Sequence, residues 1–344
     1  MEFSVPTRER IKNASNSTHL FERKLVNEIP EPKTEIPIIP RISSKRITVP
    51  KPVTTPAPKP LPEPEPVPVP VPAPQPEVLR TDIQFPRQTL ECVALLTTTF
   101  EIKNGRLDKF IDRLLSTLVK TDIEFVFFLN KSSSIIRLRE LSRFFKNVHV
   151  VSHDISEEDD TRHSTHVNLT YGGCSGPNIL FLKSAEYCRR YNTSLFLETD
   201  CILGETWLDD CINYVRYSGS FLISGATYDG LLQIPRNDTV FFNHINGVAF
   251  YNTGNDYFKI LLEKTDALIR TEVKKGISHA YDMALTLVVY ENFDTNYEFW
   301  RFILRNITKT TLIVNYSLQA DKHTSISSIL AKYPGAVIIH KKES

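Results

Sequence analysis

No apolar run in this 344-residue chain approaches the roughly 18 residues that a membrane-spanning helix needs, so no transmembrane segment is expected. The first 25 residues, MEFSVPTRERIKNASNSTHLFERKL, lack the apolar core of a secretory signal. The expectation is a soluble, cytoplasmic chain that is not secreted by the usual route. Without a signal, the Asn-x-Ser/Thr sequons at Asn13, Asn16, Asn168 and Asn237 carry little weight. An excess of charge of one sign is also missing. Lys and Arg total 41 against 40 Asp and Glu, a net charge of +1, so nothing global points to nucleic acid or to an anionic membrane. Five cysteines (Cys92, Cys174, Cys188, Cys201, Cys211) are an odd number without CxxC or zinc spacing, and most fall in apolar surroundings. They read as reduced, buried thiols. Proline is scarce outside one stretch, because residues 30–86 hold 18 of the 22 prolines.

That stretch divides the chain. Residues 1–29 are polar without sustained periodicity and read as a disordered N-terminus. Residues 30–86 form a Pro-rich linker whose PEPEPVPVPVPAPQP alternation favours polyproline II, a stiff spacer with no hydrogen-bonded core. A partner with a proline-binding groove is the second reading of this tail. Residues 87–344 read as one α/β domain.

In that domain CVALLTTTF (92–100) is the first strand, and Thr97, Thr98 and Thr99 end it with hydroxyls that suit a base or ribose or simply favour a strand. Leu107, Phe110, Ile111, Leu114, Leu115 and Leu118 keep the i, i+3, i+4, i+7 spacing of an amphipathic helix. EFVFFLN (124–130) is a second strand, a helix is expected over 134–145, and NVHVVSHDI (147–155) is a third strand. Strands alternating with helices predict a mainly parallel sheet with right-handed crossovers. Residues 156–173 break the pattern as a charged loop, either solvated or closing over a ligand. A helix led by GPN (176–178) follows.

The chain then reaches SLFLETDCILGETWLDDC (194–211). Leu195, Phe196 and Leu197 read as a buried strand that runs directly into Glu198 and Asp200. Two residues apart on an extended backbone, these carboxylates leave by the same face, about 7 Å from one another. Crowded acids raise each other's pKa unless a cation neutralises them, and a hard divalent ion is the simplest reason for the pair. Trp207, Leu208, Cys211, Ile212 and Val215 place a helix behind it. Ligands of open α/β sheets bind at the C-terminal ends of strands, where these acids lie. Further on, 221–230 opens as a strand, Val248 to Tyr251 is another, and 256–275 is a helix. The next helix carries Asp282 in its first turn, where the helix dipole alone would favour an acid. A strand at 311–314, a helix at 325–332 and a final strand AVIIH complete the domain. His340 at its end reads either as a solvated residue or as a ligand.

Taken in order, the TTT strand, the GPN-led helix, LFLETDC, TWLDD, HINGVAFYNTG, YDMAL and terminal VIIHKK resemble a GT-A-fold glycosyltransferase of the kind encoded by large DNA viruses. The resemblance covers about residues 90–342. It implies a Rossmann-like, mixed but mainly parallel sheet flanked by helices, and a location in the host cytoplasm or virion if the source is viral. It further implies that Glu198-Thr199-Asp200 stands in place of the DxD motif, holding Mn²⁺ or Mg²⁺ against the diphosphate of a nucleotide-sugar donor, with His340 as a third metal ligand. The first position of the motif departs from the pattern but keeps a carboxylate. By the same resemblance Asp282 is the general base of an inverting transfer to a hydroxyl of a glycan or glycoprotein acceptor. Asn178 is a candidate for binding the donor, and Trp207, His244, Asn246 and Gly247 for handling sugar or acceptor; each also has a structural reading.

The chemistry holds together on general grounds. A divalent cation stabilises a departing nucleotide diphosphate, and one carboxylate can take the acceptor's proton. Two other functions compete. A sugar nucleotidyltransferase would want a Gly-rich, basic phosphate loop after the first strand, where FEIKNG offers one Gly and one Lys. A non-catalytic module tethered by the proline spacer would have no use for intact acids and histidine.

Overall fold

The computed structural model describes residues 85–130, 137–160, 169–229, 244–317 and 321–341. The polar N-terminus, nearly all of the proline-rich stretch, residues 161–168 of the charged loop and the start of the helix expected at 134 lie outside the described residues.

Strand β1 (Leu90–Thr97) is apolar almost throughout because both of its faces are covered. It runs parallel to β2 (Glu124–Leu129) on one side and to β4 (Thr193–Glu198) on the other. Strand β3 (Asn147–Ser152) continues the parallel set beyond β2. Two helices follow β1. Helix α1 (Thr99–Lys103) is opened by a capping box in which Thr98 and Glu101 satisfy each other's backbone N–H groups. Gly105 then takes a φ of 73°, which turns the chain into α2 (Arg106–Thr117). Leu107, Phe110, Ile111 and Leu114 of α2 are buried, so the apolar stripe read from the sequence is the face laid on the sheet. The expected 134–145 helix is reduced, among described residues, to α3 (Leu138–Leu141).

A 3₁₀ turn (Gly172–Cys174) leads into α4 (Ser175–Cys188), which is buried along most of its length and delivers the chain to β4. The acidic pair follows at once: Glu198 ends β4, Thr199 and Asp200 turn, and β5 (Cys201–Leu203) departs in a new direction. Helix α5 (Trp207–Tyr217) comes next.

The sheet is mixed rather than wholly parallel. Strands β6 (Ile223–Gly225) and β7 (Ala249–Tyr251) each have three residues, and β7 runs antiparallel to both β4 and β6. Helices α6 (Asp256–Lys274), α7 (Tyr281–Asn292) and α8 (Tyr297–Arg305) then lead to β8 (Ile307–Lys309), which is parallel to β6. The full order is β3-β2-β1-β4-β7-β6-β8. The fold class expected from the sequence, mixed α/β with a mainly parallel central sheet, therefore stands.

Outside that sheet, β9 (Ile313–Tyr316), α9 (Ile326–Lys332) and β10 (Ile338–Lys341) complete a second layer. Strand β10 lies between β5 and β9 in a three-stranded sheet. It pairs antiparallel with β5 in the register His340 to Cys201, and parallel with β9 in the register His340 to Asn315. This register carries the last strand's histidine to the residue beside Asp200. The five cysteines are all free, and four of them are buried.

Candidate active site

The site is assembled where the two sheets share the turn at Thr199 and Asp200. Arg113 of α2 donates to the Thr199 carbonyl at 3.2 Å, and the Lys341 N–H donates to the Asp200 carbonyl at 3.4 Å, so the turn is held from both sides. Ligand atoms of Glu198, Asp200 and His340 all lie within 4.8 Å of one another. His340 Nε2 is 3.1 Å from Asp200 Oδ1 and 3.5 Å from Glu198 Oε2. Burial alone would lower the His340 pKa, but the carboxylates of Asp200 and Glu198 outweigh it and push the imidazole up to about 10. Two oxygen donors and one imidazole, two of the three residues only 3% exposed, make a donor set suited to Mn²⁺ or to a Mg²⁺ that keeps water ligands.

A cleft of about 250 Å³ opens from this cluster. Its apolar lining includes Leu96, Cys174, Pro177 and Leu180, with Thr98 and Glu101 at the start of α1. Its polar lining includes Tyr228, His244, Asn246, Asp282 and Asn315. No Lys or Arg lines it among the described residues, whereas Glu101, Glu198 and Asp282 do. An anionic ligand entering a cleft of this polarity needs a cation to come with it, and the carboxylate-imidazole cluster beside it is where that cation would be held.

His244 Nε2 lies 3.5 Å from Asp282 Oδ2, and Asn246 Nδ2 donates to the same oxygen at 3.4 Å. Asp282 Oδ1 accepts the Met283 N–H at 2.9 Å from the first turn of α7. Burial pushes this carboxyl up, but the His244 imidazole and the backbone donors prevail and hold its pKa below the ordinary aspartate value. The contest between burial and helix start, open in the sequence, falls on the ionised side. Tyr281 donates to Glu198 Oε1 at 3.4 Å, and its ring stacks on Phe181 with centroids 3.9 Å apart and planes at 8°.

The structure thus brings Glu198, His340, Asp282, His244, Asn246 and Thr98 to one cleft, with Asp200 beside His340. It places the other candidates elsewhere. Trp207, proposed as a sugar contact, is wholly buried in the main core because α5 turns that face onto the sheet, so its task is packing. Thr97 is fully buried in β1, and Thr99 Oγ1 accepts a hydrogen bond from Asn130 Nδ2 at 3.3 Å, so Thr98 alone of the three threonines lines the cleft. Asn178 is buried and donates to the His279 carbonyl at 2.8 Å, tying α4 to the approach of α7 rather than facing a donor. Gly247 is a packing glycine beside Tyr281. Sequence reasoning missed Tyr281 and Glu101. Glu101 was announced by the Thr-x-x-Glu capping pattern at 98–101, whereas nothing local distinguishes Tyr281.

No family model matches the chain, and no curated protein does. Solved structures do share its outline. Mouse xyloside xylosyltransferase 1 is 10% identical over 73% of this chain and 96% of its own, with a TM-score of 0.42. The galactosyltransferase LgtC, bound to donor and acceptor sugar analogues, is 11% identical over 73% of this chain and 87% of its own, also at 0.42. Residues 1–349 of TarS from S. aureus, bound to UDP-GlcNAc, are 13% identical over 74% of this chain and 59% of that one, at 0.37. At such scores the function of this chain rests on its own residues.

Proposed function

We propose that the chain is a metal-dependent glycosyltransferase of the GT-A kind that moves a sugar from a nucleotide-diphosphate donor to a hydroxyl acceptor. The observation that carries this reading is the convergence of Glu198, Asp200 and His340 beside an acidic cleft. When bound, Mn²⁺ or Mg²⁺ would neutralise the departing diphosphate. The residues have separable tasks. Glu198, Asp200 and His340 hold the ion. The apolar lining at Leu96, Pro177 and Leu180, with Thr98, accommodates the flat nucleoside. Asp282, ionised and buttressed by His244, accepts the acceptor hydroxyl's proton as that oxygen attacks the anomeric carbon, and an inverting displacement is the outcome we expect. Free cysteines support a cytoplasmic setting.

The test is a thermal-shift panel of nucleotide-diphosphate sugars with and without Mn²⁺, followed by donor turnover. At least one donor should raise the melting temperature only when Mn²⁺ is present, and Asp200→Asn should abolish that shift while leaving the fold intact. The proposal fails if no donor responds to metal, or if Asp200→Asn binds donor as the wild type does.

A further inference from the structure

One side chain, Asn246, touches both His340 and Asp282. Resting on the reading above, we propose that Asn246 is a positioning residue. Its amide oxygen fixes the His340 ring with Nε2 aimed at the acidic pair, while its amide nitrogen holds the Asp282 carboxylate.

The hydrogen bonds settle the orientation of this amide. Asn246 Oδ1 lies 2.7 Å from His340 Nδ1 and also accepts the Val248 backbone N–H at 3.3 Å. A backbone N–H can only donate, so the atom it meets is the carbonyl oxygen, and His340 Nδ1 must therefore carry the hydrogen in the pair. On the other side, Asn246 Nδ2 donates to Asp282 Oδ2 at 3.4 Å. Flipping the amide would set its NH₂ group against the Val248 N–H and its carbonyl against a carboxylate, so both of those contacts would turn repulsive. The backbone keeps the residue in place, since the Asn246 N–H donates to the Ala226 carbonyl at 2.9 Å.

With the hydrogen on Nδ1, the other ring nitrogen is the one directed at the carboxylates, 3.1 Å from Asp200 Oδ1. That is the nitrogen a metal would use. Histidines that ligate metals generally give their second N–H to a carbonyl or carboxylate, and losing that partner typically costs about 10–100-fold in metal affinity. Here the partner is a side chain 94 positions away in sequence. An asparagine can serve both ends where an aspartate cannot, because only the amide offers an acceptor to His340 and a donor to Asp282.

The experiment uses the full chain and Mn²⁺ alone as probe, with free Mn²⁺ followed by its EPR signal. Asn246→Ala should weaken Mn²⁺ binding by about 10–100-fold. Asn246→Asp supplies an acceptor for the same N–H and should lose clearly less Mn²⁺ affinity than Asn246→Ala. In the Mg²⁺-loaded protein, long-range ¹H–¹⁵N spectra should show His340 protonated on Nδ1 in the wild type and in Asn246→Asp, and a mixture of tautomers in Asn246→Ala. His340→Gln identifies the signal, and melting temperatures report folding. Wild-type Mn²⁺ affinity in Asn246→Ala would overturn the inference alone. So would equal losses in Asn246→Ala and Asn246→Asp with melting temperatures unchanged, which would mark a purely structural asparagine. Failure of the wild type to take up Mn²⁺ would instead remove the metal-dependent reading, and this inference with it.

Discussion

Gly247 offers a stringent test of how the site is packed, because its backbone is not in the left-handed region and only a neighbour excludes a side chain there. A Cβ added at this position would lie 1.8 Å from Tyr281 Oη, 2.7 Å from Cζ and 3.1 Å from Cε2. Non-bonded heavy atoms settle at about 3.5 Å or more, so the phenol would have to retreat by about 1.7 Å. Retreat is obstructed. The ring lies flat on Phe181, which is itself fully buried, and its hydroxyl is engaged with Glu198. Overpacking of this kind costs about 1–3 kcal/mol, and Gly247→Ala should lower the urea midpoint accordingly. Tyr281→Phe removes the closest atom and leaves Cζ as the next obstacle, so relief should be partial. In the Tyr281→Phe background the cost of Gly247→Ala should fall by about 1 kcal/mol, a non-additivity expected of residues in contact. Equilibrium urea unfolding of the four proteins measures it. A Gly247→Ala cost within about 0.5 kcal/mol of zero, or strict additivity with Tyr281→Phe, would refute the steric account.

Asp282→Asn should cut turnover by about 10²-fold or more with donor affinity nearly unchanged, because a proton acceptor is lost and no donor contact is; NMR of the product should show inverted anomeric configuration, and retention or a small rate effect would reduce Asp282 to a contact residue. His153 supplies a prediction about stability and pH. It stacks on Phe128 and lies 3.0 Å from Ser184 Oγ, and burial, helped by the positive Lys183, lowers its pKa from 6.5 to about 4. The folded state thus prefers the neutral ring, so this contribution is complete above pH 6.5 and is lost as the pH falls towards 4. Urea midpoints across that range should drop more steeply for the wild type than for His153→Gln, and parallel profiles would show that the ring titrates freely.

What the sequence disclosed depended on the range of the forces involved. Continuous apolar runs and the 3.6-residue stripe are local, so β1, β2, β4, α2 and α7 were legible to within a few residues. Short elements carry too few side chains for any pattern to stand out. Strands β5 and β8 were accordingly not assigned, and β9 was placed two residues early. Helix α8 was also missed, although Asn296 caps it and Phe299, Trp300 and Ile303 form its buried face, because its 9 residues give the stripe fewer than about three turns over which to repeat. Trp207 exposes a different limit. Its proximity to the acids in sequence suggested a ligand contact, whereas one helical turn decided its direction, and that turn points into the core. The antiparallel direction of β7 was equally hidden, since no local signal distinguishes the two directions of a three-residue strand.

The site's remaining property follows from its position between two sheets. Glu198 belongs to the last residue of β4 in the large sheet, whereas His340 belongs to β10 in the small one, and Asp200 occupies the turn that passes from one to the other. The distances among the three donors are therefore set by how the sheets meet, not by the internal geometry of either. Two like charges drawn to that junction favour its opening, and the His340 imidazolium, its pKa raised by those carboxylates, opposes them. An ion bound there would engage residues of both sheets, and occupancy would stabilise their junction by RT ln(1 + [L]/Kd), about 2.7 kcal/mol at one hundred times Kd. Such an ion would displace the Nε2 proton, and the neutral ring could ligate it only through a lone pair on Nε2. Geometry alone would bring His340 close; the hydrogen bond from Nδ1 to Asn246 is what makes that proximity productive.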